Sequence, residues 1–222
     1  MPRLVLLSDT HGHHEELRVP EGDVLVHAGD FCTSGKERQA QAFARWLAKQ
    51  PHPHKVVIAG NHDRCLEIDI GLGEKLFEGA TYLLDREATV AGLRFYGSPW
   101  QPEFLSWAFN LPRGEALRRV WAKIPVGIDV LVTHGPPFGV LDRTYAGMWV
   151  GCEELRTAID RVEPRLHVFG HIHEGAGTHA EGGVLFANAS TCTLAYEPTN
   201  PILVVDVPLD RSRPAVLVGP TD

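Results

Sequence analysis

Residues 56–63 read Val-Val-Ile-Ala-Gly-Asn-His-Asp. A short run of small apolar residues closed by glycine is the pattern of a buried strand that ends in a tight turn, and the turn carries three polar side chains. The same grammar recurs along the chain. The run Leu4 to Leu7 is followed by Ser8-Asp9-Thr10-His11, Val24 to Val26 by Gly29-Asp30, Val130 to Val132 by Thr133-His134-Gly135, and Leu166 to Phe169 by Gly170-His171-Ile172-His173. Further runs at Leu93 to Tyr96, Val184 to Phe186, Ile202 to Val205 and Val216 to Val218 add strands without such endings. Between them Ala40, Phe43, Ala44 and Leu47 recur at helical spacing within Lys36 to Lys49, and weaker helical patterns cover Glu67 to Phe77, Gly114 to Lys123 and Cys152 to Val162. Strand and helix alternate in the first half, whereas the closely spaced strands of the last third read as antiparallel hairpins. The expectation is an α/β fold of more than one sheet, a single domain over residues 1–222.

The chain has 222 residues, 44% of them hydrophobic and 22% charged, the balance of a folded globular protein rather than a disordered, collagen-like or coiled-coil one. With 21 Lys and Arg against 28 Asp and Glu the net charge is −7, without the basic stripe that duplex nucleic acid or an anionic membrane surface requires. The four cysteines show no C-x-x-C spacing, which argues against a disulfide framework or a structural zinc site. The apolar run after Arg3 is shorter than a signal-peptide core of ~7–15 residues, and no segment reaches the ~20 of a membrane span. These features read as a cytoplasmic, reduced protein.

Open α/β sheets bind ligands beyond the carboxyl ends of their strands, so the polar endings converge even though they are distant in sequence. Asp9 with His11, and His171 with His173, are spaced by two, which places each pair on one side of an extended stretch. The glycines before Asp30, Asn61 and His171 permit the sharp, sometimes left-handed turns such loops need. Asp9, His11, Asp30, Asn61, His134, His171 and His173 together offer only oxygen and nitrogen, a set suited to Mn, Fe, Zn or Mg. Seven ligands exceed one tetrahedral ion but serve two ions ~3.5–4 Å apart that share a carboxylate, for which Asp30 is the natural bridge.

These blocks, D-x-H, GD, GNHD, H and GHxH in order from Asp9 to His173, resemble the signature of the calcineurin-like metallophosphoesterases and span about three quarters of the chain. The stretches AGNHD, YGSPW, FNLPRGE, THGPP, HVFGHIHEG, NASTCT and PTNP are similar to the metallophosphoesterase-domain-containing (MPPED-type) subfamily and extend the resemblance almost to the C-terminus. The resemblance implies a two-sheet mixed β sandwich flanked by helices. It assigns Asp9, His11, Asp30 and His173 to one metal, and Asp30, Asn61, His134 and His171 to the other, with Mn the first expectation. His62 becomes the general acid, oriented by Asp63. The chain departs from those relatives in carrying Asp63 where they have Glu, and it keeps His171 where some have Gly.

By the same resemblance the activity is hydrolysis of a small-molecule phosphodiester, cyclic nucleotides among them, by a hydroxide bridging two ions, with a nucleoside monophosphate as product or inhibitor. The competing readings are a phosphomonoesterase or protein phosphatase on the same fold, and a non-catalytic interaction scaffold. Protein phosphatases of this fold carry an arginine in a GD-x-x-D-R-G block and another before GNH; here the block reads Gly29-Asp30-Phe31-Cys32-Thr33-Ser34-Gly35 and Ala59 precedes Gly60, so both are missing, with Arg64 the nearest substitute. Of the other histidines, His13, His14, His52 and His54 read as solvated loop residues and His27 and His167 as hydrogen-bonded core. Cys32 and Cys192 read as buried and inert. The stretch Trp100, Phe104, Trp107 and Phe109 is a loop pinned by its own aromatics or a platform for a base. Asn188 and Ser190 are candidates for neighbours of the metals.

Overall fold

Most of the apolar runs become parallel strands buried on both faces, which is why they read as continuous rather than alternating. A computed structural model describes residues 1–218; residues 219–222, the end of the expected domain, lie outside the described residues. In chain order the strands are β1 (Arg3–Leu7), β2 (Val24–His27), β3 (His54–Val57), β4 (Thr81–Tyr82), β5 (Arg86–Val90), β6 (Leu93–Ser98) and β7 (Gln101–Pro102). They continue as β8 (Asn110–Leu111), β9 (Val130–Thr133), β10 (Leu166–Phe169), β11 (Gly177–Glu181), β12 (Val184–Asn188), β13 (Leu203–Asp206) and β14 (Val216–Val218). The helices are α1 (Glu37–Lys49), α2 (Arg64–Ile68), α3 (Leu72–Leu76), α4 (Glu115–Trp121) and α5 (Glu153–Val162).

Two sheets of six strands stack face to face, in the orders β14-β13-β1-β2-β3-β4 and β11-β12-β10-β9-β6-β5. In the first, β1 to β4 are parallel; in the second, β12, β10, β9 and β6 are. The two-residue side-chain period then divides each strand between two cores. Leu4 and Leu6, Val24 and Val26 meet Val130 and Val132, Leu166 and Val168 between the sheets. Val5, Leu7, Leu25 and Val57 face the other way, onto Phe43, Trp46 and Leu47 of α1. Leu131, Phe169 and Phe186 of the second sheet pack on Leu117 and Trp121 of α4 and Leu155 and Ile159 of α5. The result is an α/β fold, a two-sheet mixed sandwich flanked by helices. Helix α1 starts where the Gln39 side chain accepts from the amides of Ser34 (3.1 Å) and Lys36 (3.3 Å), and it stops at Gln50, which the following Pro51 holds in an extended conformation.

The structure departs from the sequence reading at several points. The helical pattern over Glu67 to Phe77 is two short helices, α2 and α3, because the Asp69 carboxylate accepts from the Gly71 amide (3.0 Å) and turns the chain between them. In the last third only β11–β12 and β13–β14 are antiparallel neighbours, and β13 antiparallel to β1; β12 runs parallel to β10. The polar edge strand β11 provides the return that makes this possible. His14 and His52 are buried, not solvated: His14 packs edge-on against Phe43 and beside Trp46, and the His52 Nε2 lies 2.9 Å from the Pro20 carbonyl. His27 and His167 sit in the core beside the hydroxyls of Thr10 (3.1 Å) and Thr133 (2.8 Å).

All the polar strand endings lie at one edge of the sandwich, where Ser8 after β1 pairs with Ser190 after β12 and joins the sheets. The chain segments approach so closely there that a β-carbon on Gly170 would overlap the Ser8 hydroxyl and the Asp9 carboxylate. Gly170→Ala is expected to lower stability by ~1–3 kcal/mol and to weaken metal retention together, since relief of the overlap moves Asp9. Thermal unfolding and elemental analysis check this; unchanged values in both would show that the junction tolerates the methyl group.

Candidate dimetal site

Five strand ends deliver the seven expected ligands to one place. Asp9 and His11 follow β1, Asp30 follows β2, Asn61 follows β3, His134 follows β9, and His171 and His173 follow β10. Ligand atoms of Asp9, His11 and His173 lie within 4.8 Å of one another, as do those of Asp30, His134 and His171. A third group of that size is His11, Asp30 and His62, so Asp30 belongs to two groups. Asp9, His11, Asp30 and His171 adopt left-handed backbone (φ 52°, 43°, 60° and 70°), a conformation that non-glycine residues rarely hold unless the surroundings fix it. Of the preceding glycines only Gly29 shares it, at φ 96°; Gly60 and Gly170 are required instead for close approach.

Backbone carbonyls fix the histidine tautomers. His11 Nδ1 lies 3.3 Å from the Cys32 carbonyl, His134 Nδ1 2.9 Å from that of Ala28, and His173 Nδ1 3.0 Å from that of Thr193. A carbonyl only accepts, so the Nδ1 proton is assigned to each bond and the neutral ring presents an Nε2 lone pair. Those lone pairs confront other acceptors. His11 Nε2 is 3.3 Å from His173 Nε2, which is 3.4 Å from Asp9 Oδ1. His134 Nε2 is 2.8 Å from Asn61 Oδ1 and 3.3 Å from Asp30 Oδ2. The Asp9 Oδ2 atom accepts from the His171 amide (2.9 Å) and the Ser190 hydroxyl (3.0 Å), whereas Oδ1 is buried without a hydrogen-bond partner. Such facing acceptors need positive charge between them, supplied by protons or by a metal ion. The donor set and the orphaned carboxylate oxygen therefore fit divalent cations.

The charges respond accordingly. Burial lowers the pKa of His134, but the Asp30 and Asp9 carboxylates outweigh it and raise the net value to about 9. His173 behaves alike: burial lowers it, and the facing Asp9 carboxylate, 3.4 Å away, brings it to about 9. Burial favours neutral carboxyls at Asp30 and Asp9, yet His134 holds Asp30, and His173 holds Asp9, well below the ordinary range. Burial keeps His171 neutral, with a pKa of about 3, and lowers His11 too.

The resemblance gave Asp63 the task of orienting His62, and here the structure differs. The Asp63 carboxylate accepts from the amides of Asp30 (2.8 Å), Gly60 (2.8 Å) and Cys32 (2.9 Å), donors that the tight loops leave unpaired in the core. It clamps the loops that carry Asp30 and Asn61. His62 is oriented by the Thr33 carbonyl, 2.8 Å from its Nδ1, while its amide donates to Asp30 Oδ1 (2.7 Å). The Trp107 ring stacks on the His62 ring at 4.1 Å and 25°. Ser190 takes the expected place beside the ligands, and Asn188 supports it by accepting from the Ser190 amide (3.1 Å). Tyr196, which no sequence signal singled out, places its ring 4.8 Å from that of His11.

Five of the candidate ligands, His11, Asp30, Asn61, His171 and His173, form the floor of a cavity of about 570 Å³ walled by Phe104, Leu105, Trp107, Val150, Leu194 and Tyr196. The calcineurin-like phosphoesterase family model matches residues 2–175, a stretch that carries every ligand block. The chain belongs to this family. It is 44% identical over 235 aligned residues to human metallophosphoesterase domain-containing protein 1, covering 95% of this chain and 72% of that protein. It is 35% identical to the UPF0046 protein K07C11.7 of Caenorhabditis elegans, covering 90% of this chain and 74% of the relative. In fold it matches the crystal structure of TT1561 of Thermus thermophilus with a TM-score of 0.65 at 15% identity, over 98% of both chains. A metal-binding phosphoester hydrolase is thus the coarse class, and the two acceptor-lined groups are its candidate metal ligands.

Metal ligation requires neutral imidazoles, whereas His134 and His173 hold protons up to about pH 9 in the metal-free protein. Loading the site at pH 7 is expected to release close to two protons per chain, and few once the pH exceeds about 9. Calorimetry in buffers of different ionisation enthalpy measures this directly, and no proton release at pH 7 would contradict the assignment. In the metal-free protein the raised values stabilise the fold fully below pH ~6.5, and that contribution fades as the pH rises through about 9.

Proposed function

We propose that the chain is a dimetal phosphodiesterase, acting on cyclic nucleotides or diesters of that size. Asp9, His11, Asp30 and His173 hold one ion; Asp30, Asn61, His134 and His171 hold the other, with Mn the preferred metal and Fe, Zn or Mg the alternatives. When bound, such ions bring the pKa of water toward ~7 and offset the charge of the phosphoryl oxygens. The chain's own residues do the rest. The strand ends fix the ligands before substrate arrives, so little reorganisation is needed at the moment of reaction. His62, with its Nδ1 proton anchored on the Thr33 carbonyl and its ring supported by Trp107, turns Nε2 toward the cavity to protonate the departing alkoxide. For a ribose oxygen, a poor leaving group, that help amounts to ~10²–10⁴-fold.

The observation that carries the diester reading is electrostatic. A monoester dianion calls for a cationic clamp, preferably a bidentate arginine. Arg113 is the one Arg or Lys lining the cavity among the described residues, and its guanidinium is committed to the carbonyls of Gly151 (2.7 Å) and Val150 (2.8 Å) and to Glu153. Arg64 reaches the Ser106 carbonyl (3.2 Å) and does not line the cavity. Glu103 and Glu174 add negative charge to the wall. A singly charged diester suffers less from this than a dianion. Nucleoside monophosphates then act as products and inhibitors. Duplex nucleic acid and membrane surfaces are poor partners for a chain of net charge −7. The four cysteines are unpaired, and no described helix is long and apolar enough to cross a membrane.

With Mn loaded, kcat/KM for bis(p-nitrophenyl) phosphate is expected to exceed that for p-nitrophenyl phosphate, and a cyclic nucleotide to be hydrolysed in preference to its monophosphate. A clear preference for the monoesters would replace the diesterase by a phosphatase. His62→Ala is expected to keep two ions per chain and to lose ~10²–10⁴-fold on a cyclic nucleotide but far less on the p-nitrophenyl diester, whose leaving group needs little protonation. Equal losses on the two substrates would remove His62 from the acid role.

A further inference from the structure

The loop between β12 and β13 is built on its own hydrogen bonds. The Thr193 amide donates to the Glu197 carbonyl (2.8 Å) and the Tyr196 amide to the Thr193 carbonyl (2.9 Å), which closes a tight turn. The Thr193 hydroxyl accepts from the amides of Ala195 (3.3 Å) and Glu197 (3.4 Å). At the base of the loop the Asn200 side chain donates to the carbonyls of Ser190 (3.0 Å) and Cys192 (3.1 Å), and its amide to that of Thr191 (3.1 Å). The Thr193 carbonyl also aims His173 (3.0 Å), so the turn and a candidate ligand are set together. Within this frame Tyr196 is held at φ 61°, a left-handed conformation that costs a bulky residue free energy and persists only where the surroundings impose it.

That conformation places the Tyr196 ring against the site. Its centroid lies 4.8 Å from that of His11, 5.6 Å from His173 and 6.5 Å from His62, and it meets all three edge to face. The residue lines the cavity and remains 45% exposed. The hydrogen bonds of the loop use backbone groups and the side chains of Thr193 and Asn200; among the described residues none involves the Tyr196 hydroxyl. An apolar ring would fill the same wall, so the hydroxyl is the feature that packing leaves unexplained.

We propose that Tyr196 touches the substrate, its hydroxyl donating a hydrogen bond to a non-bridging oxygen of the phosphodiester on the cavity floor. This role rests on the phosphodiesterase reading and supplies a donor that the rest of the wall lacks. Arg113 is committed to Gly151, Val150 and Glu153, and the carboxylates of Glu103 and Glu174 only accept. A phenol adds a donor without adding charge, which suits a diester whose single negative charge is shared by two non-bridging oxygens. Charge on those oxygens grows as the nucleophile attacks. The bond therefore strengthens in the transition state and acts on kcat more than on KM.

The test compares Tyr196→Phe, which keeps the ring, and Tyr196→Leu, which does not, with the parent protein, all full-length and Mn-loaded. Each is measured for Mn content, for kcat and KM on bis(p-nitrophenyl) phosphate, and for the affinity of inorganic phosphate by calorimetry. Tyr196→Phe is expected to retain two ions per chain, to lose ~10-fold in kcat with a smaller change in KM, and to bind phosphate ~3–10-fold more weakly. Parental kcat and phosphate affinity in Tyr196→Phe would overturn the role, and a loss confined to Tyr196→Leu would assign the effect to the ring instead. Loss of Mn from Tyr196→Phe would make the hydroxyl a support for the ligands and would overturn it as well. If the parent does not hydrolyse the diester, the phosphodiesterase reading fails, and phosphate affinity still decides whether the hydroxyl meets a phosphoryl oxygen.

Discussion

Hydrogen bonds from imidazole Nδ1 to backbone carbonyls govern this site. Ala28, Cys32, Thr33 and Thr193 each present a carbonyl to a histidine, and in doing so turn Nε2 of His134, His11, His62 and His173 toward a common centre. Ala28 is itself held to β1, its amide donating to Leu7 (2.8 Å), so the sheet ladder sets the ring direction with little freedom left. The consequence is a cluster of acceptors that repel unless a cation fills it. That conflict is stored within the fold, together with the left-handed backbone at Asp9, His11, Asp30 and His171, and the two-sheet core sustains both.

The candidate ligands were legible because each sits after an apolar run, and the order of five such endings is far more restrictive than any one of them. The sandwich followed from the same runs. Strands β5 and β11 escaped notice because they are polar edge strands, Arg-Glu-Ala-Thr-Val and Gly-Thr-His-Ala-Glu, with no apolar stretch to mark them. His14 and His52 were misread because composition describes neighbours in sequence, whereas their burial comes from Phe43, Trp46 and the Pro20 carbonyl, reached only after folding. The role of Asp63 was hidden for a related reason. A carboxylate next to a histidine in sequence suggests a pair, but three unpaired amides, two from the loop after β2 and one from its own loop, claim it first. Backbone partners have no sequence signature, and in this site they do most of the orienting.

The cavity above the ligands completes the electrostatic argument. Its floor is built to attract divalent cations, and its wall offers no uncommitted guanidinium among the described residues. In the proposed reading, charge for the substrate comes from the floor, which favours small esters of low charge and leaves the apolar wall, from Phe104 to Tyr196, to hold the organic part. On that proposal, substrate preference and metal dependence are two expressions of one distribution of charge.

Anomalous diffraction at the Mn edge from crystals of the Mn-loaded protein tests that distribution most directly. The expected map has two peaks at the strand-end edge, one among Asp9, His11 and His173 and the other among Asn61, His134 and His171, with the Asp30 carboxylate between them. A single peak, or ions held by other residues, would contradict it.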